Sequence, residues 1–142
     1  NLGKSMVGFN INDLWYEIGN GDFLHAFFSN VAYHLEKGNW GSRFPILMNE
    51  VYQGELNFSQ ASLALNELEN IQKEFKNFTP KQIIWDIENL SLMPPWGDNI
   101  SSDITNLSNY FITSDGNDFI ELFKKVLQLA ENEKVNLTIK SF

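Results

Sequence analysis

Apolar residues recur at helical spacing in three stretches of the chain and alternate with polar ones in others. From Asp22 to about Lys37, the residues Leu24, Phe27, Phe28, Val31 and Leu35 fall on one stripe at i, i+3 and i+4 spacing. That spacing predicts an amphipathic helix, capped by Asp22 after the turn Gly19-Asn20-Gly21 and closed by Gly38. A second stripe, Ala61, Leu65, Leu68, Ile71, Phe75 and Phe78, predicts a helix from Ser59 to about Asn77, with Glu69 and Lys73 paired on its outside and Thr79-Pro80 ending it. A third, Phe119, Leu122, Phe123, Val126, Leu127 and Ala130, predicts a helix beginning near Asp118, where Asp118 and Glu121 have capping-box spacing. Pro45 suits the first turn of a shorter helix running through Val51, closed by Gly54.

The strand signals are shorter. Val7 to Ile11 reads as a strand, and Val135, Leu137 and Ile139 alternate with Asn136, Thr138 and Lys140 as an edge or terminal strand should. Tyr110 to Thr113 reads as another, with Ser114-Asp115-Gly116 as its turn. Ile83 to Ile87 fits a strand or a short helix, and Ser91 to Ser102, with Pro94-Pro95 and Gly97, must be a loop. Helices and strands interleave without a βαβ rhythm. The expected fold is α+β, one domain, with a small and mostly antiparallel sheet packed against three or four helices. Its span is read as 6–142, with residues 1–5 an appended or flexible N-terminus.

Composition agrees with one core. The chain has 142 residues, 43% of them hydrophobic and 14% aromatic, and no apolar run approaches a membrane span. It has no cysteine, so disulfides, thiolate catalysis and cysteine-based zinc sites are excluded, and a reducing cytoplasm is expected. Charge changes the picture more. The net charge is -8, and between Lys81 and Asp118 there are six acids (Asp86, Glu88, Asp98, Asp103, Asp115 and Asp118) against one base. Nucleic-acid binding needs the opposite sign. Acidity concentrated in one stretch suits either general solubility or capture of a basic partner.

Catalytic motifs are incomplete. Gly3-Lys4-Ser5 lacks the first glycine of a phosphate loop and precedes a strand. Asp115-Gly116-Asn117-Asp118 lacks the calcium-loop glutamate, since Leu122 stands in its place. His25 and His34 are separated on one helix by about 900°, half a turn out of phase, so they cannot ligate one metal. No Gly-x-Ser-x-Gly elbow occurs. The chain is read as no enzyme, with no metal and no cofactor.

Four tryptophans occur. Trp15 and Trp85 sit in apolar segments and are read as core, whereas Trp96 sits in Pro94-Pro95-Trp96-Gly97-Asp98, a restrained loop. Trp96 either anchors a partner or folds back to plug the core. The run Trp85-Asp86-Ile87-Glu88-Asn89-Leu90 is followed by Pro94-Pro95-Trp96-Gly97-Asp98-Asn99-Ile100, Leu107-Ser108-Asn109-Tyr110-Phe111 and Thr113-Ser114-Asp115-Gly116. Together with Val7-Gly8-Phe9-Asn10-Ile11 and Leu14-Trp15-Tyr16-Glu17-Ile18, it resembles the immunity protein 70 family of bacterial polymorphic toxin and contact-dependent inhibition systems.

That resemblance implies a cytoplasmic protein that binds and blocks one cognate toxin C-terminal domain without catalysis. The acidic stretch suggests that the toxin is basic, a nuclease being one such case. Candidate partner-binding residues are Asp86, Glu88, Trp96, Asp98, Asp103 and Asp115. Two other classes remain open: a small hydrolase using paired carboxylates, and a generic adaptor or oligomer subunit.

Overall fold

Asn12 and Asp13 both adopt positive φ, 51° and 62°, the conformation of a two-residue hairpin turn whose twist matches that of the strands it joins. They connect β1 (Met6–Ile11) to β2 (Leu14–Asn20) in an antiparallel hairpin that pairs Ile11 with Leu14 and Met6 with Asn20. The computed structural model describes residues 2–141, and in them this hairpin founds a four-stranded sheet of order β2-β1-β4-β3. β4 (Leu137–Ser141) pairs with β1 on one side and β3 (Glu55–Leu56) on the other, always antiparallel. The C-terminal strand is therefore internal rather than at the edge, because a two-residue strand too short to alternate covers its far side.

The helices follow their stripes. α1 (Gly21–Asn30) is capped by Asn20, whose side chain accepts from the Phe23 N–H at 2.9 Å; Asp22, the expected cap, lies inside the first turn. α1 runs on as a wider π turn, Val31–Leu35, and ends through Lys37 and Gly38, at φ 53° and 80°, with the Gly38 N–H on the Ala32 carbonyl. A second π turn, Leu47–Val51, follows Pro45 as expected and is closed by Gly54. Glu67 of α2 (Ala61–Phe75) presents its carboxylate to the Ile46 and Leu47 N–H groups, satisfying the start of that turn from outside. Leu65 and Phe78, expected in the core, are half-buried. The ion pair made by α2 is not Glu69 with Lys73 but Glu74 with Arg43, a two-pronged contact at 2.8 and 2.6 Å. α3 (Phe119–Glu133) is capped by Asp118, which accepts from the Glu121 N–H at 3.1 Å.

Phenylalanines fill the space between sheet and helices. Phe27 is fully buried and makes edge-on contacts with Phe28, Phe75, Phe111 and Phe119, the closest at 4.9 Å between ring centres. Phe9 of β1 stacks on Phe119 from the sheet side. Edge-to-face pairs of this kind add about 0.5–1.5 kcal/mol each beyond area burial. The core is one continuous cluster, as the apolar content predicts.

Candidate functional site

Between α2 and α3 the chain runs from Thr79 to Asp118 with no helix longer than one turn and no paired strand beyond the single bridge Ile112–Asp118. The expected strand at 110–113 is reduced to that bridge. The segment 83–87 is neither strand nor helix. Its backbone groups are satisfied by α1 side chains instead. Buried Asn30 donates to the Ile84 carbonyl at 2.8 Å and accepts from the Ile84 N–H at 3.0 Å, while the Ser29 hydroxyl accepts from the Ile87 N–H at 3.2 Å. A side chain that offers donor and acceptor together substitutes for a ladder partner. His34 completes the docking by donating Nε2–H to the Gln82 carbonyl at 2.7 Å; burial pulls its pKa down, against the opposing pull of that bond.

The docked segment delivers Trp85 into the core, 8% exposed, as expected, while Trp15 is half-buried on β2. Trp96 folds back against the core and yet stays partly exposed. Its ring meets Trp85 edge-on at 5.3 Å and its Nε1–H donates to the Tyr110 hydroxyl at 2.8 Å, yet the residue remains 37% exposed. Burial pushes the Tyr110 phenol up, opposed by the Trp96 hydrogen bond and reinforced by the charge of Asp98. Trp96 borders an apolar recess of about 310 Å³ with Phe23, Ile100, Ile104, Tyr110 and Ile112. Leu90, Leu92, Met93 and Ile112 are exposed along the same loop system. Of these, Met93 and Ile112 border cavities that Tyr110 also lines.

The six candidate residues divide. Asp98 follows Trp96 by two positions and faces a cavity shared with Lys81 and Tyr110. Asp103 and Asp115 are exposed, each adjacent in sequence to a residue of the recesses around Trp96, Ile104 and Ser114. Asp86 and Glu88 turn elsewhere, into a cavity of about 540 Å³ lined also by His25 and Tyr52. There His25 bridges the two sides, with Nδ1 2.7 Å from the Tyr52 hydroxyl and Nε2 3.2 Å from Asp86 Oδ1. Burial pushes the Tyr52 phenol up, and the charges of Glu88 and Asp86 add to the effect. The sequence relates His25 by phase only to His34; its partners Tyr52 and Asp86 lie 27 and 61 positions away, and no spacing announces them.

An antiparallel sheet backed by three long helices, with an irregular aromatic loop system on the outside, defines a small α+β domain without a phosphate loop or nucleophile elbow among its motifs. Within that class the chain belongs to the immunity protein 70 family, whose model matches residues 9–139. An immunity role in the general sense comes with that membership. No curated relative and no solved structure matches the chain. No helix among the described residues is long and apolar enough to cross a membrane.

Proposed function

We propose that this protein neutralises a cognate bacterial toxin domain in the cytoplasm by binding it and covering its active surface, with no catalysis of its own. Family membership supports the immunity role, and one structural observation carries the choice of surface. Trp96, Met93, Leu92 and Ile112 are each exposed, with Trp96 and Ile112 lining one recess, in a chain of net charge -8. An apolar centre with a carboxylate rim is the anatomy of a hot spot that excludes water while charge steers the partner in. In this reading Asp98, Asp103 and Asp115 supply that rim, while Asp86 and Glu88 line a separate cavity.

The test is co-purification of the chain with its cognate toxin domain, together with rescue of growth in cells expressing that domain. Trp96→Ala weakens the complex by roughly thirtyfold or more, the effect of losing a hot-spot aromatic. Because Trp96 also touches Trp85 and Tyr110, Met93→Ala and Asp98→Asn accompany it as variants that leave those contacts in place. The association rate falls as salt rises, by screening. A complex indifferent to all three substitutions would place the interface elsewhere, and one whose association rate ignores salt would remove the steering role of the acids.

A further inference from the structure

The cavity beside α1 holds three groups whose arrangement the toxin-binding reading does not use. His25, Asp86 and Glu88 each offer one ligand atom, and these atoms all lie within 4.8 Å of one another. We propose that they form a site for one transition-metal ion of the zinc class. Two protein ligands on a tetrahedral zinc stand about 3.4 Å apart, given metal–ligand bonds of about 2.0–2.2 Å. His25 Nε2 and Asp86 Oδ1 are already at 3.2 Å, close to that spacing, and a small rotation turns both toward a shared ion. Glu88 is exposed and closes the remaining gap by rotation of its side chain.

A second observation, independent of the carboxylates, concerns the other ring nitrogen. A histidine that binds metal through Nε2 carries its proton on Nδ1 and needs an acceptor there. The Tyr52 hydroxyl is 2.7 Å from Nδ1 and accepts as readily as it donates. It is itself held on the second π turn's flank, half-buried against Trp40 and Phe28. The imidazole is thus oriented by the protein rather than by the ion. Asp86 is also fixed, since its Oδ1 accepts from the Glu88 N–H at 2.8 Å, which sets the approach of the two carboxylates. Asp22, the other acid lining the cavity, is paired with Lys4. Mixed nitrogen and oxygen ligands favour zinc over magnesium, which prefers oxygen alone and keeps its waters. Three protein ligands leave the fourth position to water or to a group brought by a partner. The inference stands apart from the toxin-binding reading, because the ion would bind the isolated chain.

Calorimetric titration of the purified, chelator-treated chain with zinc, manganese and magnesium at fixed ionic strength tests it. One zinc per chain is expected, bound far more tightly than magnesium and accompanied by a rise in melting temperature. Glu88→Gln, an exposed change that leaves the fold intact, abolishes the thermal shift and weakens zinc by more than tenfold. Tyr52→Phe weakens zinc by roughly 10–100-fold, the usual effect of removing a histidine's outer partner. No saturable zinc binding, equal binding by Glu88→Gln, or magnesium competing on equal terms would each overturn the proposal; the last two would mark a generally acidic surface.

Discussion

Asn30 is the point at which the irregular segment depends on α1, and its removal gives a sharp prediction. Asn30→Ala deletes both hydrogen bonds to the Ile84 backbone and the back-bond to the Ala26 carbonyl. The residue is fully buried, so water does not replace the lost partner at once. Each tertiary bond contributes about 1 kcal/mol net, and an orphaned buried backbone group costs a further 1–3 kcal/mol. The sum is about 3–5 kcal/mol, which lowers the melting temperature by roughly 9–15 °C for a chain of this size. Urea denaturation measures the free energy, and amide exchange locates it: the Ile84 N–H exchanges at least about tenfold faster in the variant, since it opens without global unfolding. Ser29→Ala is the control. Its single longer bond to Ile87 costs under about 1 kcal/mol. An Asn30→Ala variant within about 1 kcal/mol of the parent, or with Ile84 exchange unchanged, refutes the idea that this side chain stands in for a strand partner.

Other expectations follow from the same reasoning. Glu36, 2% exposed, accepts from the Gly41, Arg43 and Phe44 N–H groups, so Glu36→Ala costs about 3–5 kcal/mol in chemical denaturation and frees the 37–44 loop to proteolysis. Burial raises the Glu67 pKa, against the pull of the Leu47 and Ile46 hydrogen bonds and with help from Glu36 and Glu50. Because the folded chain then holds this proton more tightly than the unfolded one, the contribution of Glu67 to stability is full below the unfolded pKa and declines as pH rises through the folded one. Glu67→Gln removes that decline, so its stability relative to the parent improves as pH rises above the ordinary glutamate value. Melting curves across that range that stay parallel for the two proteins would contradict it. A Cβ at Gly8 would stand 2.6 Å from the Trp15 ring and 2.7 Å from the Tyr16 carbonyl oxygen. Gly8→Ala therefore destabilises by about 1–3 kcal/mol, the cost of overpacking against backbone that cannot yield, as a thermal melt would register.

The three helices and the terminal strands were legible because burial on one face imposes a period on the residues that make it. The hairpin partner of β1 was not. Leu14 to Ile18 does not alternate cleanly, since a bulge at Val7/Gly8 shifts its register, and its turn is Asn12-Asp13 rather than the usual pair containing glycine. Ile83 to Ile87 carried strand-like composition but found no strand to pair with, and its bonds went to Asn30 and Ser29, which no local pattern encodes. Trp96 was recognisable as unusual from the flanking prolines and glycine. Its packing against Trp85 and Tyr110 was not, because that depends on a partner fourteen positions on. The cluster of His25, Asp86 and Glu88 is farther still from local reading; only the docking of the irregular segment on α1 brings it into being.

The long connection between α2 and α3 is anchored by Asn30, Ser29, His34 and His25, by the Leu107 N–H on the Phe78 carbonyl, by Phe111 among the core rings, and by the Ser114 N–H on the Ile18 carbonyl of β2. Between those anchors the crest, residues 90–103, lies outside the sheet. Residues there can be exchanged, or a few inserted, at little energetic expense, because even doubling a flexible loop adds only about 0.6 kcal/mol. The crest can therefore be rewritten while the scaffold beneath it stays intact.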